Sequence, residues 1–106
     1  MNQLAVKELA QWLAEPDRPQ PLLLDVREAW EVQTASLPAV THIPMQQIPA
    51  RVAELEGERE IVAICHHGAR SMQVGLFLER QGYKVHNLAG GIDAWSREVD
   101  ASVPRY

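Results

Sequence analysis

Ile61-Val62-Ala63-Ile64-Cys65-His66-His67-Gly68-Ala69-Arg70-Ser71 is the stretch that decides how this chain is read. Four apolar residues run into the only cysteine of the sequence. A short apolar run bounded by turn chemistry is the pattern of a strand buried on both faces. A glycine and an arginine follow, and a helical pattern opens near Ser71, which reads as an N-cap or first-turn residue. Strand, thiol, loop and helix start, in that order, set a sulfur where the first amides of a helix point. A thiol attacks as its thiolate, and helix N-termini and nearby cations favour that form. Arg70 carries a charge it does not lose. If the loop curls, the amides of His66 through Ser71 can converge on one centre as an anion-binding nest. Gly68 permits the backbone angle such a curl needs. A cysteine at the end of a buried strand is often only a small apolar residue; the helix start, glycine and arginine together favour the functional reading here.

Outward from this stretch, the same alternation recurs. Leu22-Leu23-Leu24-Asp25-Val26 is a second buried strand, Tyr83 to Leu88 a third, and Thr41-His42-Ile43-Pro44 a brief extended piece. Leu4, Val6, Leu9, Trp12 and Leu13 predict a helix over about 6 to 14, which the prolines 16, 19 and 21 end. Arg27 to Thr34 predicts a short helix that buries Trp30, and Ile48, Val52 and Leu55 mark another that stops at Gly57. Val74, Phe77 and Leu78 lie on one face of the helix after the loop, with Gly82 just past its end. Ala89-Gly90-Gly91 breaks the last strand, and Ile92 to Val99 predicts a final helix carrying Trp95. Strands alternating with helices imply an α/β fold with a parallel sheet covered on both faces. Ligands of such sheets bind beyond the carboxyl ends of strands, where Cys65 falls.

With 106 residues the chain is read as one domain with one core. Its 46% hydrophobic content is that of a globular protein. A net charge of −4 provides no basic footprint for nucleic acid. No apolar run approaches the ~20 residues of a membrane helix, and the N-terminus has no signal-peptide pattern. A lone cysteine allows neither an internal disulfide nor a Cys-rich zinc site, and fits the reducing cytoplasm. His66 and His67 are adjacent and should diverge on an ordinary backbone; with only His42 and His86 besides, no metal site is expected. Asp25 and Arg27 read as a structural ion pair in preference to substrate contacts. Trp12, Trp30 and Trp95 read as core, with Trp30 or Trp95 also able to wall the site.

At this point Cys65-His66-His67-Gly68-Ala69-Arg70-Ser71 resembles the active-site loop of single-domain rhodanese-like sulfurtransferases. Leu24-Asp25-Val26-Arg27-Glu28 is similar to the family's Asp-Val-Arg-Glu signature, and Gly90-Gly91-Ile92-Asp93-Ala94-Trp95 to its Gly-Gly-Ile-x-Ala-Trp element. Gln81-Gly82-Tyr83 before a strand also fits, and these landmarks stand in family order. The resemblance implies a three-layer fold around a mainly parallel five-stranded sheet. It implies that Cys65 takes sulfane sulfur from a donor such as thiosulfate, holds it as a persulfide and passes it to a thiophilic acceptor. That acceptor is cyanide in the standard assay and a thiol or protein in the cell. Residues 66 to 71 would cradle the sulfur, with Arg70 orienting an anionic donor, and Asp25, Arg27, Gly90 and Gly91 would support the loop. No cofactor or metal is implied, and a monomer is expected. The alternative is a persulfide relay module that serves a protein partner and turns over thiosulfate poorly.

Loop length separates this chain from phosphatases with a related loop, which use Cys-x5-Arg around a tetrahedral phosphate. Here four residues stand between Cys65 and Arg70, a smaller ring that suits one outer sulfur. One element departs from the family pattern. Where its members commonly have Gly-His-Ile-Pro-Gly-Ala, this chain has Ala35-Ser36-Leu37-Pro38-Ala39-Val40. Alanine in place of both glycines puts the local turn geometry in question.

Overall fold

The computed structural model describes residues 1–106. Five parallel strands form one sheet in the spatial order β1-β5-β4-β2-β3. They are β1 (Asn2–Leu4), β2 (Leu22–Asp25), β3 (Thr41–His42), β4 (Ile61–Ile64) and β5 (Val85–Leu88). The helices are α1 (Val6–Leu13), α2 (Ala29–Thr34), α3 (Ile48–Arg51), α4 (Ala69–Arg80) and α5 (Gly91–Glu98). This is the α/β architecture the alternating pattern implied.

Side chains of a strand alternate between faces, so the two central strands feed two cores at once. Leu23, Val62, Ile64 and Leu88 pack with Leu9 and Trp12 of α1 and Ile92 and Trp95 of α5. Leu22, Leu24, Ile61 and Ala63 face the other way, against Val74 and Leu78 of α4, with Ile48 and Leu55. β2 and β4 are buried along their full lengths, which is why they read as continuous apolar runs. The register pairs Asp25 with Ile64 and Ala63 with Asn87. The carboxyl ends of β2, β4 and β5 therefore lie side by side.

Several details differ from the sequence reading. β1 was not anticipated; three residues pairing at the sheet edge leave almost no periodic signal. Trp30 is not buried by α2 but 61% exposed, because that six-residue helix turns Glu31 inward instead. The segment around Ile48 is a short α-helix between two 3-10 turns, with Pro49 in its first turn lacking the N–H a longer helix would use. Gly82 does adopt the left-handed conformation past the end of α4, at φ 94°.

The element that departs from the family pattern has a distinct backbone cost. Ala39 sits at φ 60°, the only non-glycine residue of the chain in the left-handed region. Ala35, by contrast, is extended at φ −156° and needs no glycine. Left-handed backbone costs an L-residue roughly 1–2 kcal/mol, part of which glycine returns as greater freedom in the unfolded chain. Ala39 is exposed, so no packing is lost on removing its methyl. Ala39→Gly should therefore raise unfolding free energy by about 0.5–1 kcal/mol, read from urea denaturation midpoints at unchanged slope.

Candidate active site

Cys65 follows β4 directly and is 1% exposed. Its Sγ accepts the Gly68 N–H at 3.0 Å, and Ser71 Oγ lies 3.2 Å away. Gly68 reaches inward because it holds φ 110°, where it serves as the N-cap of α4. Ser71 is thus a first-turn residue of α4, fully buried, with its hydroxyl turned to the sulfur.

A residue the sequence reading passed over fixes this pair. Asn87 of β5 is buried, and its Oδ1 accepts a hydrogen bond from Ser71 Oγ. Its Nδ2 donates to the Gly68 carbonyl at 3.2 Å and to Gln3 Oε1 at 2.9 Å. An amide at an interior position of the last strand was the signal available for it.

The loop is also held from the far side. The Ile92 N–H donates to the Cys65 carbonyl at 2.9 Å, and the Asp93 N–H to the His66 carbonyl at 3.1 Å. The first turn of α5 thus spends its unpaired amides on the carbonyls of the catalytic loop. Gly91 makes this approach possible. At φ 61° it lies so close that a Cβ would collide with the carbonyl oxygens of Cys65 and His66. Gly90, at φ 78°, caps the same helix, and a Cβ there would strike Ala94.

Asp25 and Arg27 form the ion pair anticipated, both side chains fully buried, at 2.7 Å. The Asp25 carboxylate also accepts the Arg27 N–H at 3.1 Å, closing the turn after β2. Arg27 further donates to the Ala35 carbonyl and to the hydroxyl of Tyr106, so its charge is used inside the fold.

Arg70 stands differently from the expectation. It is 35% exposed at its side chain, and both its NH groups donate to Glu31, at 2.6 and 2.8 Å. Glu31 Oε1 takes the Glu28 N–H as well, and Oε2 the Tyr106 hydroxyl at 2.6 Å. The Arg70 guanidinium, aided by Tyr106 and the Glu28 amide, holds the Glu31 carboxyl at about 2 despite burial, against an ordinary 4.5. Burial, with the hydrogen bond to Glu31, pushes the Tyr106 phenol up to about 12, so it stays a donor. Neither Glu31 nor Tyr106 was singled out from sequence.

His66 and His67 do not diverge as expected. Their rings lie 3.9 Å apart, because His66 is stacked on Tyr106 at 4.0 Å and nearly parallel. Burial, reinforced by His67, lowers the His66 pKa, and its Nε2 has no hydrogen-bond partner. With Asp93 the two histidines bring one ligand atom each within 4.8 Å of one another. Asp93, however, already accepts from Arg97 and Arg105, each at 3.1 Å, which a cation there would have to displace. Ala69 opens α4 at the surface, and Trp30 stands edge-on to Tyr106 beside the loop. Trp95 is core, as anticipated, and does not wall the site.

With this geometry in place, the comparisons with known proteins are direct. The family described as "Rhodanese-like domain" matches residues 5–98. A protein named "Sulfurtransferase" from Allochromatium vinosum is 40% identical over 98 residues, covering 92% of this chain and 90% of that one. The chloroplastic rhodanese-like/PpiC domain-containing protein 12 of Arabidopsis thaliana is 39% identical over 114 residues. All of this chain is covered there, but it spans only 38% of that protein's length. The crystal structure of a rhodanese-like domain protein from Staphylococcus aureus superposes with a TM-score of 0.85 at 29% identity, covering 93% of this chain and 95% of that one. The chain belongs to the rhodanese-like domain family.

Two outcomes follow from the site's construction. Gly91→Ala should destabilise the protein by about 2–4 kcal/mol, since a methyl meets rigid backbone at a strained φ; differential scanning of wild type and variant reads this. Glu31 has its carboxyl depressed in the folded state, so its stabilisation is complete above the unfolded value of 4.5 and is lost as pH falls toward about 2. Wild-type stability should drop by about 1–3 kcal/mol more than that of Glu31→Gln between pH 5 and pH 2, measured by urea denaturation across that range.

Proposed function

We propose that this chain is a sulfane-sulfur transferase working through a persulfide on Cys65. The observation that carries the reading is a sulfur at the carboxyl end of β4 that accepts the Gly68 amide at the start of α4. In the first half-reaction the Cys65 thiolate attacks the outer sulfur of the donor. With thiosulfate, the Sγ–S bond forms, the S–S bond of thiosulfate breaks, and its electron pair leaves with sulfite. The enzyme is left as a persulfide anion, which the Gly68 amide and the positive end of α4 are suited to stabilise. In the second half-reaction an acceptor takes the outer sulfur: cyanide becomes thiocyanate, or a thiolate becomes a persulfide. Cys65 is regenerated as thiolate, so no external oxidant or reductant enters.

The tight loop supports sulfur over phosphate as the group carried. Ser71 and Asn87 would keep the donors aimed, and the amides of α5 would keep the loop curled as the outer sulfur comes and goes. A lone unpaired thiol fits a reducing compartment, for which the cytoplasm is proposed. No helix is long and apolar enough to cross a membrane. The acceptor is proposed to be a small thiol or a thiol on a protein, served by a monomer.

Intact-mass measurement after mixing with thiosulfate should show one added sulfur on wild type and none on Cys65→Ser. Thiocyanate production should fall to background in Cys65→Ser, and a variant with full activity would overturn the mechanism. Ser71→Ala, which removes the link between the Asn87 amide and the loop beside Sγ, should lower kcat by about 10-fold or more with a smaller change in KM, checked by steady-state assay.

A further inference from the structure

The loop arginine is the group expected to recognise an anionic donor, yet its charge is already answered. Glu31 meets both NH groups of Arg70 and is itself held by the Glu28 amide and the Tyr106 hydroxyl. Its carboxylate thus has four hydrogen bonds and a side chain only 4% exposed, so it does not swing away to free the guanidinium. The second arginine nearby, Arg27, is neutralised in the same manner by Asp25. Arg97 and Arg105 pair with Asp93, with side chains 46% and 60% exposed, where water screens them. His66 has a lowered pKa and stays neutral at pH 7. With Arg70 paired, its pull on Sγ is offset by Glu31, and the α4 N-terminus adds a partial positive charge matched to a single anionic sulfur.

Thiosulfate places a further burden on this site. It is a dianion, and transfer from it leaves a sulfite dianion beside the loop. A hydropersulfide asks for less. The Cys65 thiolate attacks the outer sulfur of R–S–SH; the new Sγ–S bond forms, the R–S–S bond breaks, and its electron pair leaves on RS⁻. The proton of the outer sulfur then passes to RS⁻, leaving RSH and the Cys65 persulfide anion. One negative charge enters and one remains.

We infer that Glu31 is a specificity-determining residue: by pairing with Arg70 it turns the site away from dianionic donors and toward organic persulfides, R–S–SH. Glu31 acts through Arg70 and touches no reacting atom. The inference rests on the Cys65 persulfide reading and names the donor class of that same site.

The test compares kcat/KM for thiosulfate with that for the hydropersulfide of 2-mercaptoethanol, a donor with no charge beyond its sulfur. Glu31→Gln keeps the shape and frees the Arg70 charge, and should raise the thiosulfate-to-persulfide ratio by about 10-fold, mostly through a lower KM for thiosulfate. Glu31→Asp keeps the charge and should keep the ratio within about threefold of wild type. An unchanged ratio in Glu31→Gln, or an equal rise in Glu31→Asp, would overturn the inference. Should Glu31→Gln fail to fold, wild type itself decides. A paired Arg70 predicts that kcat/KM for thiosulfate does not fall as salt rises, whereas a steep fall would mean an uncompensated cation and sink the proposal. If neither donor adds a sulfur to wild-type Cys65 by intact mass, it is the persulfide reading that fails, not the role of Glu31.

Discussion

The candidate site depends on a close backbone contact between the loop after β4 and the first turn of α5. The carbonyls of Cys65 and His66 have left the sheet and would be unpaired in the interior, a cost of roughly 1–3 kcal/mol each. The amides of Ile92 and Asp93 are unpaired too, because helices leave their first N–H groups free. Bringing the two together satisfies both sets, but only if no side chain stands between them. Gly91 meets that condition, and this is why a glycine pair far from Cys65 in sequence belongs to its site. Once the carbonyls are fixed outward to α5, the amide of Gly68 is free to turn inward to the sulfur.

Around this contact the charges are arranged in closed pairs. Asp25–Arg27 is fully buried, and such a pair is weak evidence of net stability because desolvation opposes it. Its value is geometric: with the Arg27 amide, the Ala35 carbonyl and Tyr106 it pins the turn after β2 against the loop. Glu31 links that layer to the catalytic loop through Arg70, and Tyr106 bridges both arginine systems while stacking on His66. The consequence is a sulfur that accepts a backbone amide while the cations nearby are paired.

How much of this was legible depended on the range of the interaction. The buried strands at Leu22 and Ile61 announced themselves because both faces are covered, and the glycine after α4 because a left-handed residue is needed there. Cys65, Gly68 and Ser71 lie within seven residues, so their spacing alone suggested a common centre. Trp30 misled because hydrophobicity does not say which way a six-residue helix turns; the ion pair of Glu31 decides it. The histidines misled for a similar reason, since stacking on Tyr106 from the far end of the chain sets their rings together. β1 was silent because an edge strand of three residues is held by backbone pairing, not by a side-chain pattern.

By itself the sequence determined an α/β fold with a buried parallel sheet, a thiol at a strand's carboxyl end, and an arginine separated from it by four residues. These follow from local order, from periodicity, and from the count of residues between Cys65 and Arg70. Only the tertiary structure decided what stands opposite each charge. Asn87 reaches Ser71 through the register of β5 with β4, Glu31 reaches Arg70 across 39 positions, and Tyr106 reaches Glu31 across 75. A sequence fixes which charges exist; whether a cation is free for a substrate or already spent on a neighbour depends on partners that only folding brings within hydrogen-bond distance.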